Sequence, residues 1–364
     1  MWKLKKVIDN PSGLNSSSWG FVSSIYQNYL AVGAFDANSE ENFRADVYER
    51  DLSGNWNHKS IEKPSRAIGK DFGRLIRIYK NYLLVGTNSV NSGEIYFYSK
   101  DTLGNWNFKS TIICPDLSAT HFGNNFSLHQ NSLSVLAIGK TFIFEKNLKE
   151  EWVLTKTIDN NISVDPGSTY IFNGVSVYKS NMVSLFSYSG SGVQGSQIRA
   201  YKKDTNGWLN SFQTIEEPSN SSGGWGAEIQ LNENYLLVGS SGGSPIDIHT
   251  FAVYNQNLSG DWVIQKVFSK ISGIFELGVS LSLNDNYIFA GATDRNADGQ
   301  NMIVVYEKNN SGEWFENSRI INNPNGDYHF GAAVFSNSSY LTVSYNYGNG
   351  VSFVNQLYIY ERGN

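Results

Sequence analysis

The chain has 364 residues, of which 40% are hydrophobic, 14% aromatic and only 17% charged, with a net charge of −5. So much apolar and aromatic material excludes a disordered chain. The mild charge gives no global ground for nucleic-acid binding, and a single cysteine, Cys114, excludes an intrachain disulfide framework.

The N-terminal stretch Met1 to Ile8 is basic but lacks the apolar core and cleavage site of a secretory leader. It predicts either no export by the usual route or a mature or trimmed form. No window of 18 apolar residues marks a transmembrane helix. Trp2 opens a series: Trp2, Trp56, Trp106, Trp152, Trp208, Trp262 and Trp314 follow one another at intervals of 54, 50, 46, 56, 54 and 52 residues. Another 52 residues lead from Trp314 through the C terminus back to Trp2. A fixed period of this length signals a repeat architecture, so residues 1–364 are read as one domain. Its repeat boundaries fall near 12, 65, 116, 165, 219, 272 and 325.

The second repeat shows the unit. Asp71-Phe72-Gly73 opens a strand through Ile78; a turn at Lys80-Asn81 leads to Tyr82-Leu83-Leu84-Val85-Gly86. A loop leads to Gly93-Glu94-Ile95-Tyr96-Phe97-Tyr98, and the turn Asp101 to Gly104 leads to Trp106 through Ile112. These are four strand-like runs bounded by Gly, Asn, Asp and Pro, here called A, B, C and D. Strand B is apolar on both faces (Tyr82 to Val85, Tyr235 to Val238), which predicts burial on both sides. Strand D alternates, with Trp106 and Phe108 facing one way, which predicts a half-exposed outer strand. Helical periodicity is absent. Seven such units predict an all-β, seven-bladed β-propeller of four-stranded antiparallel blades. The chain ends in a strand C (Tyr358-Ile359-Tyr360) and begins with a strand D (Trp2 to Ile8), so the N-terminal strand is expected to complete the last blade.

The opening pairs Trp19-Gly20, Phe72-Gly73, Phe122-Gly123, Trp225-Gly226, Leu277-Gly278 and Phe330-Gly331 form one recurring motif. The runs Val32-Gly33-Ala34, Val85-Gly86-Thr87, Val238-Gly239-Ser240 and Ala290-Gly291-Ala292 form a second. Together they resemble FG-GAP repeats, which build the N-terminal propeller of integrin α chains and many bacterial surface proteins. The fourth repeat departs, with Phe172-Asn173-Gly174, and the second motif is degraded in repeats three, four and seven. The resemblance implies an extracellular or surface location and a ligand-binding face formed by the D–A and B–C loops. Integrin-type repeats often carry a calcium loop between strands A and B; here that connection is a tight turn, as in Lys80-Asn81, which leaves no room for a carboxylate cage.

The A–B and C–D turns read as short and alike, whereas the loops of the opposite face diverge. B–C loops are long in blades one, four (Ser187 to Ser196), five, six and seven (Tyr345 to Asn355) and almost absent in blade three. An uneven face suits one binding partner. The candidate ligand-binding residues on or near it are Trp19, Asp71, Arg74, Arg77, His121, Tyr170, Trp225 and His329. Arg74 and Arg77 belong to a basic cluster with Lys59, Lys63, Arg66, Lys70 and Lys80, and both are placed near the central channel, where they could hold an anion. A salt-bridged surface with Glu62 and Asp71 is the plainer reading. Trp19 and Trp225 read first as core, and the seven periodic tryptophans as scaffold. Asp294-x-Asn296-x-Asp298-Gly299 resembles the start of a calcium loop but lacks the twelfth-position glutamate, so no cofactor is expected and calcium remains a weak alternative. No nucleophile elbow, zinc-protease, phosphate-loop or paired-carboxylate motif is present. The expectation is therefore a non-catalytic module that recognises a protein partner or surface, with a lectin-like glycan binder or a structural component of an assembly as alternatives.

Overall fold

A computed structural model describes residues 1–11, 19–34, 43–67, 71–87, 93–160, 169–190, 193–219, 225–240, 250–269, 276–293, 301–321, 330–348 and 353–363. Twenty-eight strands form seven sheets, each of four strands in antiparallel order. Blade two, for example, runs Leu75–Tyr79, Tyr82–Gly86, Glu94–Lys100 and Trp106–Ile113. The seventh sheet takes strands A to C from Val334–Ser336, Tyr340–Gly348 and Phe353–Arg362, and its outer strand from Trp2–Asp9. The protein is therefore a seven-bladed β-propeller. Trp2 pairs with Arg362 and Asp9 with Gln356, so the chain's two ends close the ring as one blade and leave neither as an open edge.

Burial follows strand order. Strand B is covered on both faces, as in Leu83, Leu84 and Val85. Strand D is mostly exposed. Its alternation does not persist along its length. Phe108 is 45% exposed although it shares parity with the half-buried Trp106. A register shift where Tyr98 pairs with Phe108 but Phe97 pairs with Ser110 inserts one extra residue and flips the pleat, so Ile112 turns inward instead. Two of the long B–C loops are hairpin extensions. In blade four the strands Asn181–Gly190 and Val193–Asp204 remain paired to Gly190 and Val193, and in blade seven pairing runs to Gly348 and Phe353. Ser187 to Ser196 and Tyr345 to Asn355 are thus strand for most of their length.

The periodic tryptophans are wedges between blades. Trp106 meets Tyr29 of the preceding blade edge-on at 6.1 Å, and a cation from its own strand C, Lys100, covers the same tyrosine at 4.6 Å. The same trio recurs as Trp56, Tyr340 and Arg50, as Trp2, Tyr287 and Arg362, and as Trp314, Tyr235 and Lys308. Such edge-to-face and cation–π contacts each add about 0.5–1.5 kcal/mol beyond burial. At the two seams flanking blade four the tyrosine is lost. There Trp208 and Lys203 both reach Glu145, and Gln256 donates to Asn181.

The two glycine motifs lock the blades together near the axis. A Cβ on Gly33 would lie 2.2 Å from the carbonyl oxygen of Gly73 in the next blade, and a Cβ on Gly86 would lie 2.2 Å from that of Gly123. Gly73 itself has φ +99, a conformation glycine adopts without penalty. The motif is therefore a steric requirement: the second glycine lets one blade's backbone touch the turn that opens the next.

Candidate functional site: the axial channel

Strand A of each blade lines the ring's axis. Its residues enclose a cavity of about 440 Å³ to which all seven blades contribute. Because side chains alternate along a strand, the residues two and four positions after each opening glycine point to the axis. The outer layer, nearer the D–A and B–C loops, holds Val22, Leu75, Asn125, Gly174, Glu228, Ser280 and Ala333. The next layer holds Ser24, Arg77, Ser127, Ser176, Gln230, Ser282 and Phe335.

Most of the polar groups in these layers stitch blade to blade. The Ile78 amide donates to Ser24 Oγ at 3.1 Å, Val177 to Ser127 Oγ at 3.0 Å and Leu231 to Ser176 Oγ at 3.1 Å. Leu283 donates to Gln230 Oε1 at 2.8 Å, and Val175 to Asn125 Oδ1 at 3.3 Å. Ser282 and Ser336 share a hydrogen bond of 2.8 Å. Arg77 has no acceptor and cannot continue this pattern.

Arg77 and Glu228 are the charged residues in the cavity's described lining. Blades two and five are three apart in a ring of seven, so the two side chains approach from nearly opposite walls. They are not within ion-pair distance of one another. Arg77 Nη1 donates to the Ile76 carbonyl at 2.9 Å; its other N–H groups have no partner among the described residues. The Glu228 carboxylate makes no hydrogen bond or ion pair among them. Both side chains are partly covered, their flanks open to the cavity, while dense protein surrounds the rest. Burial pushes the Glu228 carboxyl up to about 7, against a counter-pull from Arg77. Burial likewise lowers Arg77 to about 10, offset in part by Glu228. Water in the channel tempers both shifts.

At the A–B end the lining stops short of a second ring. Tyr26 and Tyr79 pack at 4.6 Å, Tyr79 and His129 at 5.7 Å, and His129 and Tyr178 at 4.0 Å. Burial first, and Lys179 second, push His129 down to about 4, so it is neutral. Blades five to seven carry Asn232, Asn284 and Asn337 there instead, each accepting backbone amides of its own turn. The turns read as alike thus fall into two classes. In blades one to four, Gln27, Lys80, Gln130 and Lys179 take positive φ in two-residue turns; in blades five to seven an asparagine caps a longer one.

The residues singled out from sequence disperse. Arg77 lines the channel. Arg74, placed near the channel from sequence, stands on the opposite parity and is not among the lining residues, because it follows Gly73 by one position. Trp19 is fully buried and donates from Nε1 to Asp46 Oδ2 at 3.0 Å, and Trp225 is buried at 3% exposure in the core between blades four and five. Both are seam residues, not surface ones. Asp71 accepts the Arg74 amide through its carbonyl at 3.2 Å. His121 holds a left-handed backbone, φ 62, beside Thr120. Tyr170 sits on strand A of blade four, opposite Tyr188. His329 and the segment containing Asp294, Asn296 and Asp298 lie outside the described residues, as does Lys70. Of the remaining basic cluster, Arg66 pairs with Glu94 at 2.7 Å, and not with Glu62 or Asp71; Lys63 covers Phe43, and Lys80 sits at the far turn over Tyr79. Cys114 is half-buried, its thiol directed to the Asp116 carbonyl at 3.1 Å, and burial raises its pKa. Among the described residues no group of three or more His, Cys, Asp or Glu could hold a metal, and no helix is long and apolar enough to cross a membrane.

Glu228 was not singled out from sequence. Its signal was present: it stands two residues after Gly226, where every other blade carries a neutral side chain or glycine. Only alignment by strand register makes that comparison.

No protein-family model matches the chain, and no curated protein matches it in sequence. Solved structures do match in fold. The polysaccharide lyase Uly1 aligns with a TM-score of 0.56 at 9% identity, over 95% of this chain and 90% of that one. Kluyveromyces lactis Hsv2 aligns at 0.50 and 11%, over 93% and 95%. A periplasmic gluconolactonase of Pseudomonas aeruginosa aligns at 0.47 and 14%, over 82% and 85%. These likenesses identify the fold, a β-propeller, and nothing finer. They also correct one expectation. The missing motifs suggested a non-enzyme, but a polysaccharide lyase shares this architecture nearly end to end, and propellers assemble sites from residues of different blades. The expectation of no catalysis therefore does not stand, and what this chain is shown to be is a seven-bladed β-propeller.

Proposed function

We propose that the protein is a ligand-binding propeller of the FG-GAP kind whose site is the axial channel and its mouth on the D–A and B–C face. The observation that carries this reading is the Arg77–Glu228 pair. Two unlike charges that break a repeated, self-bonded ring stand in one cavity without satisfying each other. Burying a charge without a partner is costly, so scaffold needs alone do not account for either residue. Two charges held apart in a pocket of this size suit a small polar ligand. The FG-GAP kinship is supported by the glycine contacts between successive blades. The loops that would meet a protein partner lie largely outside the described residues, so the channel is the better-supported site.

The test is a thermal-shift screen of amino acids, organic acids, sugar acids and short glycans against the protein and its Arg77→Met/Glu228→Gln double variant. The expected result is at least one compound that stabilises the parent and not the variant. If every stabilising compound acts equally on both, the channel is not the site.

A further inference from the structure

The channel's chemistry narrows the ligand class, on the reading just given that the channel is the binding site. The other polar groups of the lining are largely occupied. Ser24, Ser127, Ser176 and Gln230 each accept a backbone amide of the next blade, and Ser280 donates to the Gly331 carbonyl at 2.6 Å. The groups with strong unused capacity are the Arg77 guanidinium and the Glu228 carboxylate. A guanidinium presents a planar fork that matches a carboxylate. A carboxylate at the opposite wall matches an ammonium. Glu228 lies two residues nearer the loop face than the level of Arg77, an axial offset of roughly 7 Å. The gap is therefore oblique, and it opens toward the loops.

We propose that the axial channel binds a small zwitterion, with its carboxylate on Arg77 and its ammonium group on Glu228. Selectivity follows from the same two charges. A simple carboxylate that reaches Arg77 meets the repulsion of Glu228, and a simple ammonium meets that of Arg77. In a site of low polarity each penalty is larger than in water. A zwitterion avoids both and enters without changing the channel's net charge. The serine hydroxyls, whose protons remain available after accepting one bond, add orientation but no charge preference.

Calorimetric titration with a ladder of glycine, β-alanine, γ-aminobutyrate and 5-aminovalerate measures the gap directly, since the charge separation grows by one methylene at each step. Acetate and ethylammonium serve as single-charge controls, and the titration is run at about pH 8, where Glu228 is ionised. One rung of the ladder is expected to bind at least about tenfold more tightly than either control, and Arg77→Met and Glu228→Gln are each expected to lose at least about tenfold. Far-UV circular dichroism and melting curves check that both variants are folded; if Arg77→Met is not, the isosteric Glu228→Gln decides. Equal binding of acetate or ethylammonium, or no loss in Glu228→Gln, overturns the zwitterion. A channel-dependent ligand without an ammonium group, found in the thermal-shift screen, also overturns it while leaving the channel as the site. If no compound in either experiment depends on Arg77 or Glu228, both readings fall.

Discussion

The outer seams and the central channel are made from the same seven repeats, yet they vary in opposite ways. At the seams a tryptophan, a tyrosine and a cation recur in nearly the same arrangement, as in Trp314, Tyr235 and Lys308. In the channel a single layer holds serine, arginine, glutamine and phenylalanine at equivalent positions. The seam has a close-packed solution, and departures from it leave voids or lone polar groups. The channel is open space, where a changed side chain meets water or a ligand instead of a neighbour. Repetition therefore marks what holds the ring together, and departure from repetition marks what the ring can bind.

The largest effect should come from breaking a seam. Trp314 is 1% exposed, and Trp314→Ala removes its contacts with Tyr235 and Lys308; it should cost about 3–5 kcal/mol in a denaturant melt. Trp208→Ala, at a seam without the tyrosine, should cost less by about 1 kcal/mol, the value of the missing ring pair. Equal losses would mean the trio adds nothing beyond burial. Next comes the glycine contact. Gly33→Ala drives a methyl to 2.2 Å from a backbone oxygen that has no room to retreat, and about 1–3 kcal/mol of destabilisation is expected. An unchanged melting temperature would show that the blades move apart freely.

The channel should respond differently, and Glu228→Gln sharpens the contrast. The folded protein holds the Glu228 proton more tightly than the unfolded chain does, because its pKa is raised. Its contribution to stability is thus fully present below the unfolded carboxyl value and is lost as pH rises through about 7. The glutamine variant escapes that loss. It should be more stable than the parent by about 1–3 kcal/mol near pH 8 and indistinguishable from it near pH 4. A substitution that abolishes ligand binding while raising stability would separate function from scaffold in one residue. No pH dependence in the difference would mean that channel water solvates the carboxylate fully. The smallest effect is Ser127→Ala, which leaves the Val177 amide without its acceptor and should cost about 1 kcal/mol. Its hydrogen-exchange readout is faster exchange confined to the facing strands of blades three and four.

Periodicity made the ring legible before any coordinates. The spacing of seven tryptophans, the four strand-like runs per unit and the split seventh blade all follow from local pattern, because each blade repeats the same short-range solution. The strand D phase was not legible in this way. A one-residue bulge at the Tyr98–Phe108 pairing depends on how two strands settle against each other and leaves no compositional trace. Loop boundaries failed for a similar reason: in blade four, pairing across Gly190 and Val193 extends a hairpin through residues that look like a turn-rich loop.

By itself the sequence determined the architecture: strand count, blade order, closure, and which glycines must stay small. Only the tertiary structure decided the site. Arg77 and Glu228 are 151 residues apart. Nothing local relates them; they share one cavity only because ring closure carries strand A of every blade to a common axis. Arg74 and Arg77, close in sequence, are separated by the pleat. A propeller's repeats are written in local physics, whereas its site is written in which residues the axis gathers, and that is a property of the closed ring alone.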